Sequence, residues 1–346
     1  MPKIVLSPWL FAISQFFFPF WLQIETTTRC NLRCKTCMRS GQKGEDMSFE
    51  LFKSIIDQFN HRRFPRRKID LTGVGEPLLN PKLIPMIEYA KEHGLEVSFT
   101  SNFTTMNQAT ATDLIKAKPD CLYISVDAGS REIFEKMRSG ADFETVADNV
   151  RLFVKARKDQ NADTPRLLFR STISEDNAGE ATALIRLAEI LGVDGIVFFP
   201  QLMPGEEYYS SDLFVPPSRE DTSLAVVENS MPSPERALTC RSYSRCYVTF
   251  DGKVLPCPCL TQMMPREEYS RFQFGDIGNS PFVKIWFSAR YRQFRARGAF
   301  GSPYLALCRY CPYSPRKSRK QDGRHNSSAE EIIESGHGPI TIIPEP

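Results

Sequence analysis

The chain has 346 residues, 41% hydrophobic and 25% charged, ordinary globular proportions that exclude wholesale disorder. A net charge of +3 (44 basic, 41 acidic residues) excludes the dominant cationic footprint of a nucleic-acid binder, so no nucleic-acid partner is expected. Ten cysteines are too few for a disulfide scaffold in a chain this long. Their grouping at 30–37, 240–259 and 308–311, with only Cys121 apart, points to metal ligation in a reducing compartment, the cytoplasm.

From the amino end, Leu6 to Leu22 is rich in Phe and Trp but broken by Pro8 and Pro19, too short and interrupted for a membrane-spanning helix. It reads as a lead-in (1–19) packed on the core; peripheral membrane contact through its aromatics is the sharper alternative. From residue 22 to 200 strands and helices then alternate. Strands are expected at 22–27, 68–73, 95–101, 121–126, 166–173 and 195–200, and helices fill the gaps. The first helix, near 48–60, has Ser48 as N-cap and Phe52, Ile55, Ile56 and Phe59 on one face. The second starts with Asn80 before Pro81 and stops at Gly94, and others follow near 107–117, 130–138, 143–157 and 178–191. Six strand–helix repeats imply a parallel sheet curled into a partial barrel, whose chemistry sits at the C-terminal strand ends.

Two motifs fall at such ends. After the first strand comes Cys30-Asn31-Leu32-Arg33-Cys34-Lys35-Thr36-Cys37, spaced Cys-x3-Cys-x2-Cys. Three thiolates on one short loop suit three irons of a [4Fe–4S] cube and leave the fourth iron open; half of a zinc site completed elsewhere is the competing reading. After the second strand comes Gly73-Val74-Gly75-Glu76-Pro77, where glycines allow close approach of backbone and a glutamate can accept hydrogen bonds from a cationic amine.

Together, in this order, these motifs resemble the radical S-adenosylmethionine (SAM) family. The resemblance implies that Cys30, Cys34 and Cys37 bind the SAM-cleaving [4Fe–4S] cluster and that Gly73, Gly75 and Glu76 bind the SAM amino group. It makes Ser125 and Arg170 candidates for the SAM ribose and carboxylate, with Asn102 nearby. An arginine inside the apolar strand Leu167-Leu168-Phe169-Arg170 needs a partner; a bound carboxylate and an internal salt bridge serve equally. Asp127, close behind Ser125, is a substrate-facing or helix-capping candidate. Thr36 departs from the aromatic residue usual before the third cysteine.

After 200 the alternation stops. The barrel core is assigned to 20–215, and a linker rich in Pro, Ser and acidic residues to 216–236. A cysteine-bearing module spans 237–315, and a polar, basic tail at 316–346 is expected to be disordered. Tyr247 to Leu255 reads as a hairpin with an Asp251-Gly252 turn. Cys240, Gly252, Cys257 and the pair Cys308-Arg309-Tyr310-Cys311 resemble the SPASM/twitch extension of radical SAM enzymes. That resemblance implies one auxiliary [4Fe–4S] cluster held by Cys240, Cys257, Cys308 and Cys311, with Cys246 and Cys259 surplus or able to replace one of the four. Structural zinc is the competing reading there as well.

The fold expected is therefore α/β, a partial (β/α)6 TIM-like barrel with a small C-terminal SPASM/twitch-like extension. The resemblance implies reductive cleavage of SAM to methionine and a 5′-deoxyadenosyl radical, which takes a hydrogen atom from a substrate for dehydrogenation or peptide cross-linking. It implies an electron donor such as flavodoxin or ferredoxin, and a small-molecule or peptide substrate. An iron–sulfur electron carrier without SAM chemistry is the alternative.

Overall fold

A computed structural model of the chain describes residues 19–37, 44–60, 67–201, 222–224, 226–229, 244–299 and 308. The aromatic lead-in up to residue 18, the tail, Cys240 and Cys311 lie outside them.

Strands β1 (Trp21–Ile24), β2 (Lys68–Asp70), β3 (Glu96–Ser101), β4 (Cys121–Ser125), β5 (Arg166–Ile173) and β6 (Gly195–Pro200) follow one another in a parallel sheet. Between them run helices α1 (Phe49–Phe59), α2 (Leu83–Glu92), α3 (Gln108–Ala117), α4 (Arg131–Met137), α5 (Phe143–Asp159) and α6 (Ala181–Leu191). Strand alternation explains the layering. Leu22, Ile24, Ile69, Val97, Phe99, Leu122, Ile124, Leu167, Phe169, Ile196 and Phe198 are all buried in one core. Helix α1 adds Phe52, Ile55, Ile56 and Phe59 to it, and the Ser48 hydroxyl caps the helix by accepting from the Leu51 N–H at 3.2 Å.

The opposite face of the strands is polar. Gln23, Ser98, Thr100, Tyr123, Ser125, Arg170 and Thr172 are half-buried there, and Asp70 is buried among them. The register sets the rows: Gln23 lies beside Asp70, Asp70 beside Ser98, Thr100 beside Tyr123, and Ser125 beside Arg170. The curled sheet thus carries an apolar outer face under the helices and a polar concave one.

Two expectations need correction. Asn80 does not cap α2, which begins at Leu83 with no side-chain cap. Its side-chain Oδ1 instead accepts from the Lys82 N–H at 2.8 Å, and its side-chain NH2 donates to the Thr26 carbonyl at 2.7 Å, with Pro81 and Lys82 forming a turn ahead of the helix. The stretch assigned as a linker contributes β7 (Val226–Asn229), parallel to β6, a short apolar run hidden among Pro, Ser and acidic residues. The structure also joins the C-terminal module to the barrel's own sheet.

That junction is made by the predicted hairpin. β8 (Arg245–Val248) pairs parallel with β1, and β9 (Lys253–Leu255) returns antiparallel to β8, with Gly252 at φ +87 in the turn. β10 (Gly275–Asp276) completes a ten-stranded sheet in the order β10-β9-β8-β1-β2-β3-β4-β5-β6-β7. Short helices α7 (Leu260–Met263), α8 (Tyr269–Phe272) and α9 (Phe282–Trp286), then α10 (Ala289–Ala299), cover the module around a fully buried Trp286 and Tyr291. Among the described residues no helix is long and apolar enough to cross a membrane.

Candidate active site

The cysteine loop leaves the C-terminal end of β1 and is pinned from two sides. On one side the Arg33 N–H donates to the Ser139 carbonyl and the Lys35 N–H to the Met137 carbonyl, both at 2.9 Å, docking the loop on the end of α4. On the other, the Glu76 N–H donates to the Arg29 carbonyl at 2.7 Å. The glycines beside Glu76 explain how the strands come so close. A Cβ on Gly75 would stand 2.3 Å from the Thr27 carbonyl oxygen, and one on Gly73 2.5 Å from the Glu25 side chain. The close approach expected of this motif is therefore made to the chain's own cysteine-loop strand.

Glu76 is buried. Its carboxylate accepts from the Asn102 N–H at 2.6 Å and the Leu78 N–H at 3.1 Å. Burial pushes its carboxyl pKa up, against hydrogen bonds from Asn102, Ser101 and Leu78 that favour the anion. A carboxylate offers about four lone-pair sites, so capacity for a cationic donor remains. The Asn102 amide in turn donates to Asn31 at 3.0 Å and stands 4.0 Å from the Cys30 sulfur. Cys30, Glu76 and Asn102 are thus brought together by the fold.

Ser125 and Arg170 are direct cross-strand neighbours on the polar face. Among the described residues Arg170 makes no ion pair. Its guanidinium donates to the Thr100 hydroxyl at 3.2 Å and lies over the Phe199 ring at 4.4 Å. A guanidinium with donor capacity left therefore stands on the polar face. Asp70 faces the same space. Burial raises its pKa, and Arg170, the Thr72 hydroxyl and Arg245 act in the opposite sense.

Asp127 neither caps a helix nor faces a substrate. It is wholly buried, accepts from the Thr172 N–H at 2.8 Å and pairs with Arg138 at 2.8 Å. Arg138 went unnoticed in the sequence, where a cation at the end of a helix is unremarkable. Its other guanidinium nitrogen is 3.9 Å from the Cys34 sulfur. Burial pushes the Cys34 thiol pKa up, while the Arg138 charge acts to lower it. Glu25 was also missed. It is fully buried at the end of β1 and accepts from the Val74 N–H, the Phe250 N–H and, at 2.7 Å, the Arg266 guanidinium. It ties the Gly73–Pro77 segment to the C-terminal module. For Glu25 the sequence signal is only an ionisable residue shortly before the cysteine motif, and Arg138 lies beside no motif at all.

Three thiols on a loop clamped beside a buried guanidinium fit an anionic iron–sulfur cube, whose cysteines each take a different iron. Among the described residues no three metal-ligating side chains converge on a single ion.

In the C-terminal module, Cys257 accepts from the Cys259 N–H at 3.3 Å, and Cys246 is fully buried on β8. Burial raises the Cys246 thiol pKa, with Tyr291 and Arg295 opposing. Arg295 is buried against the Trp286 ring, and two of its nitrogens find no partner among the described residues. A buried cation without a counter-charge fits an anionic cluster beside these cysteines. Because Tyr247 pairs with Leu255 and β9 runs back down the sheet, Cys257 is carried toward the N-terminal end of β1. The Cys30–Cys37 loop and Cys257 therefore leave opposite ends of the β1–β8 wall. A surface recess lined by Arg157, Arg166 and Asp194 lies below the strands, away from both motifs.

These features are those of an enzyme that cleaves SAM at an iron–sulfur cluster. The sequence matches the radical SAM superfamily over residues 24–175 and the SPASM iron–sulfur cluster-binding domain over residues 240–312. Together these matches take in well over half of the chain, which belongs to the radical SAM superfamily and carries a SPASM domain. It is 24% identical over 301 residues to the tungsten-containing aldehyde ferredoxin oxidoreductase cofactor-modifying protein of Pyrococcus furiosus, covering 80% of this chain and 83% of that protein. The fold is similar to Streptococcus suis SuiB bound to the precursor peptide SuiA (TM-score 0.62, 12% identity, 86% of this chain and 70% of the other). It is also similar to anSMEcpe with bound AdoMet (TM-score 0.62, 17% identity, 91% and 94%). The cofactors are accordingly SAM, a [4Fe–4S] cluster and auxiliary iron–sulfur.

Proposed function

We propose that this enzyme is a maturase that oxidises a peptide by dehydrogenation or cross-linking. One observation carries the reading. A polar strand face bearing Gln23, Asp70, Ser98, Thr100, Tyr123, Ser125 and Arg170 shares its sheet with the Cys30–Cys37 loop and Cys257, which leave opposite ends of the β1–β8 pair. Cys30, Cys34 and Cys37 would hold the first cluster, which when bound would supply the electron that breaks a bond of SAM. The chain's own part is to hold SAM between Glu76 and the Ser125–Arg170 pair and to present a polar substrate along that face. The second cysteine group (Cys257, Cys308 and, outside the described residues, Cys240 and Cys311) would hold one auxiliary cluster, able to take up an electron and so make the net reaction an oxidation. Similarity to SuiB, solved with a precursor peptide, and to a cofactor-modifying protein supports a maturation substrate.

Arg33, Lys35 and Lys136 form a basic rim around the cysteine loop, with Lys35 and Lys136 both paired to Asp176. Such a rim suits an acidic electron donor of the flavodoxin or ferredoxin kind. Among the described residues no cysteine is joined in a disulfide, which fits work in the reducing cytoplasm.

Anaerobically reconstituted protein, reduced with dithionite in the presence of SAM, should release 5′-deoxyadenosine. Cys34→Ala should abolish that release. Cys308→Ala should retain uncoupled release and lose the peptide product, read by a mass decrease of the peptide. Equal retention in both variants would exclude the division of labour, and no 5′-deoxyadenosine from the unsubstituted chain would leave an electron carrier.

A further inference from the structure

The buried pair behind the cysteine loop is over-determined for a packing role. Arg138 ends α4, and its backbone N–H donates to the Phe134 carbonyl. The turn that follows passes through Gly140 at φ +96 and closes with the Ala141 N–H on the Arg138 carbonyl at 2.9 Å. That same turn receives the two backbone hydrogen bonds from Arg33 and Lys35. Loop and guanidinium are therefore one rigid assembly, which fixes the 3.9 Å between Nη1 and the Cys34 sulfur. The side chain is only 11% exposed, and its partner Asp127 is not exposed at all. Asp127 is itself held by the Thr172 N–H, and its carbonyl accepts from Asn177 at 2.7 Å. Burial of the pair limits solvent screening of this charge on the side that faces Cys34.

We propose that Arg138, clamped by Asp127, is a positioning residue whose fixed positive charge favours the reduced state of the cluster held by Cys30, Cys34 and Cys37. This rests on the reading of those three thiols as cluster ligands. The physical argument is one of sign. Reduction adds one electron, and the reduced cube is more negative by one charge. A guanidinium that cannot lose its proton offsets that charge without moving, and no proton is taken up. Iron–sulfur potentials respond to such local charges and to hydrogen bonds at the sulfurs. Asp127 stands behind Arg138, and its negative charge opposes the effect from further away. It is retained because a lone buried cation would be far costlier.

Opposite signs make the test. Reconstituted wild type, Arg138→Gln, Arg138→Lys, Asp127→Asn and the double variant would be titrated with dithionite under argon, following by electron paramagnetic resonance the cluster whose spectrum changes on adding SAM. Arg138→Gln should shift the reduction equilibrium about tenfold toward the oxidised form, a fall of ~59 mV for one electron. Arg138→Lys, which keeps the charge, should stay close to wild type. Asp127→Asn should shift in the opposite direction, and the double variant should return toward wild type. A purely structural role would move Arg138→Gln and Asp127→Asn the same way, or leave the potential unchanged while iron content falls, and either result overturns the proposal. If Arg138→Gln does not hold iron, the sign of the Asp127→Asn shift alone decides. Failure of the underlying reading would look different: the unsubstituted chain would show no SAM-responsive cluster.

Discussion

Single side chains at this site are bound by the chain as well as offered to ligands, and Glu76 shows the consequence. Both of its oxygens already accept backbone N–H groups, from Asn102 and Leu78. Glu76→Gln keeps the shape but turns an NH2 toward one of those donors, leaving a buried amide unsatisfied at a cost of about 1–3 kcal/mol. It should also weaken SAM binding at least tenfold with the cluster retained; chemical denaturation and equilibrium dialysis check the two effects. Asp70 makes a pH prediction. Its folded pKa is raised by burial, so the folded chain holds a proton that the unfolded chain releases near about pH 4. Its contribution is complete below that pH and is lost as pH rises through the folded value. Asp70→Asn should therefore flatten the pH dependence of stability above pH ~4 and raise the melting temperature at neutral pH, as read by thermal denaturation across a pH series. The two carboxylates show how far residues were legible. Glu76 stood out as part of a motif, whereas Glu25 looked like the polar end of a strand. Only long-range contacts, to Arg266 and Phe250, reveal what Glu25 does.

Helix and strand assignments were legible because their signals are local. Ser48, Asn107 and Asp142 each cap the helix that follows them, and Gly94 and Gly192 end helices at positive φ. β7 was not legible, since its pairing is set by the exposed edge of β6 rather than by its own sequence. The hairpin β8–β9 was, because Asp251-Gly252 is a strong turn signal. Its partner strand β1, however, lies more than 200 positions away in the chain. The strut across that junction is Arg266 on Glu25, whose side chains are 16% and 0% exposed. Arg266→Ala would strand a buried carboxylate at a cost of about 3–5 kcal/mol, visible as a lower urea midpoint. Because Glu25 also receives the Val74 N–H and packs on Gly73, the same variant should loosen the Gly73–Pro77 segment.

At the scale of the whole molecule, one sheet runs through both cysteine-bearing parts. Every backbone group that β1 turns toward β8 would be left unpaired if the module were removed. A chain ending at residue 236 should therefore associate or precipitate rather than behave as a free barrel; size-exclusion chromatography of the truncated and full-length chains checks this. The common sheet also gives a physical reason for the Cys30–Cys37 loop and Cys257 to act together, since both leave the β1–β8 pair.

The sequence by itself determined the alternation of strands and helices, the three-thiolate loop and the glutamate strand end, because each is written in neighbouring residues. Only the tertiary structure decided that Arg138 stands against Cys34, that Glu25 bridges to Arg266, and that the cysteine-rich module extends the barrel sheet. These depend on which distant surfaces meet, and strand register and buried charge pairing leave no periodic trace along the chain.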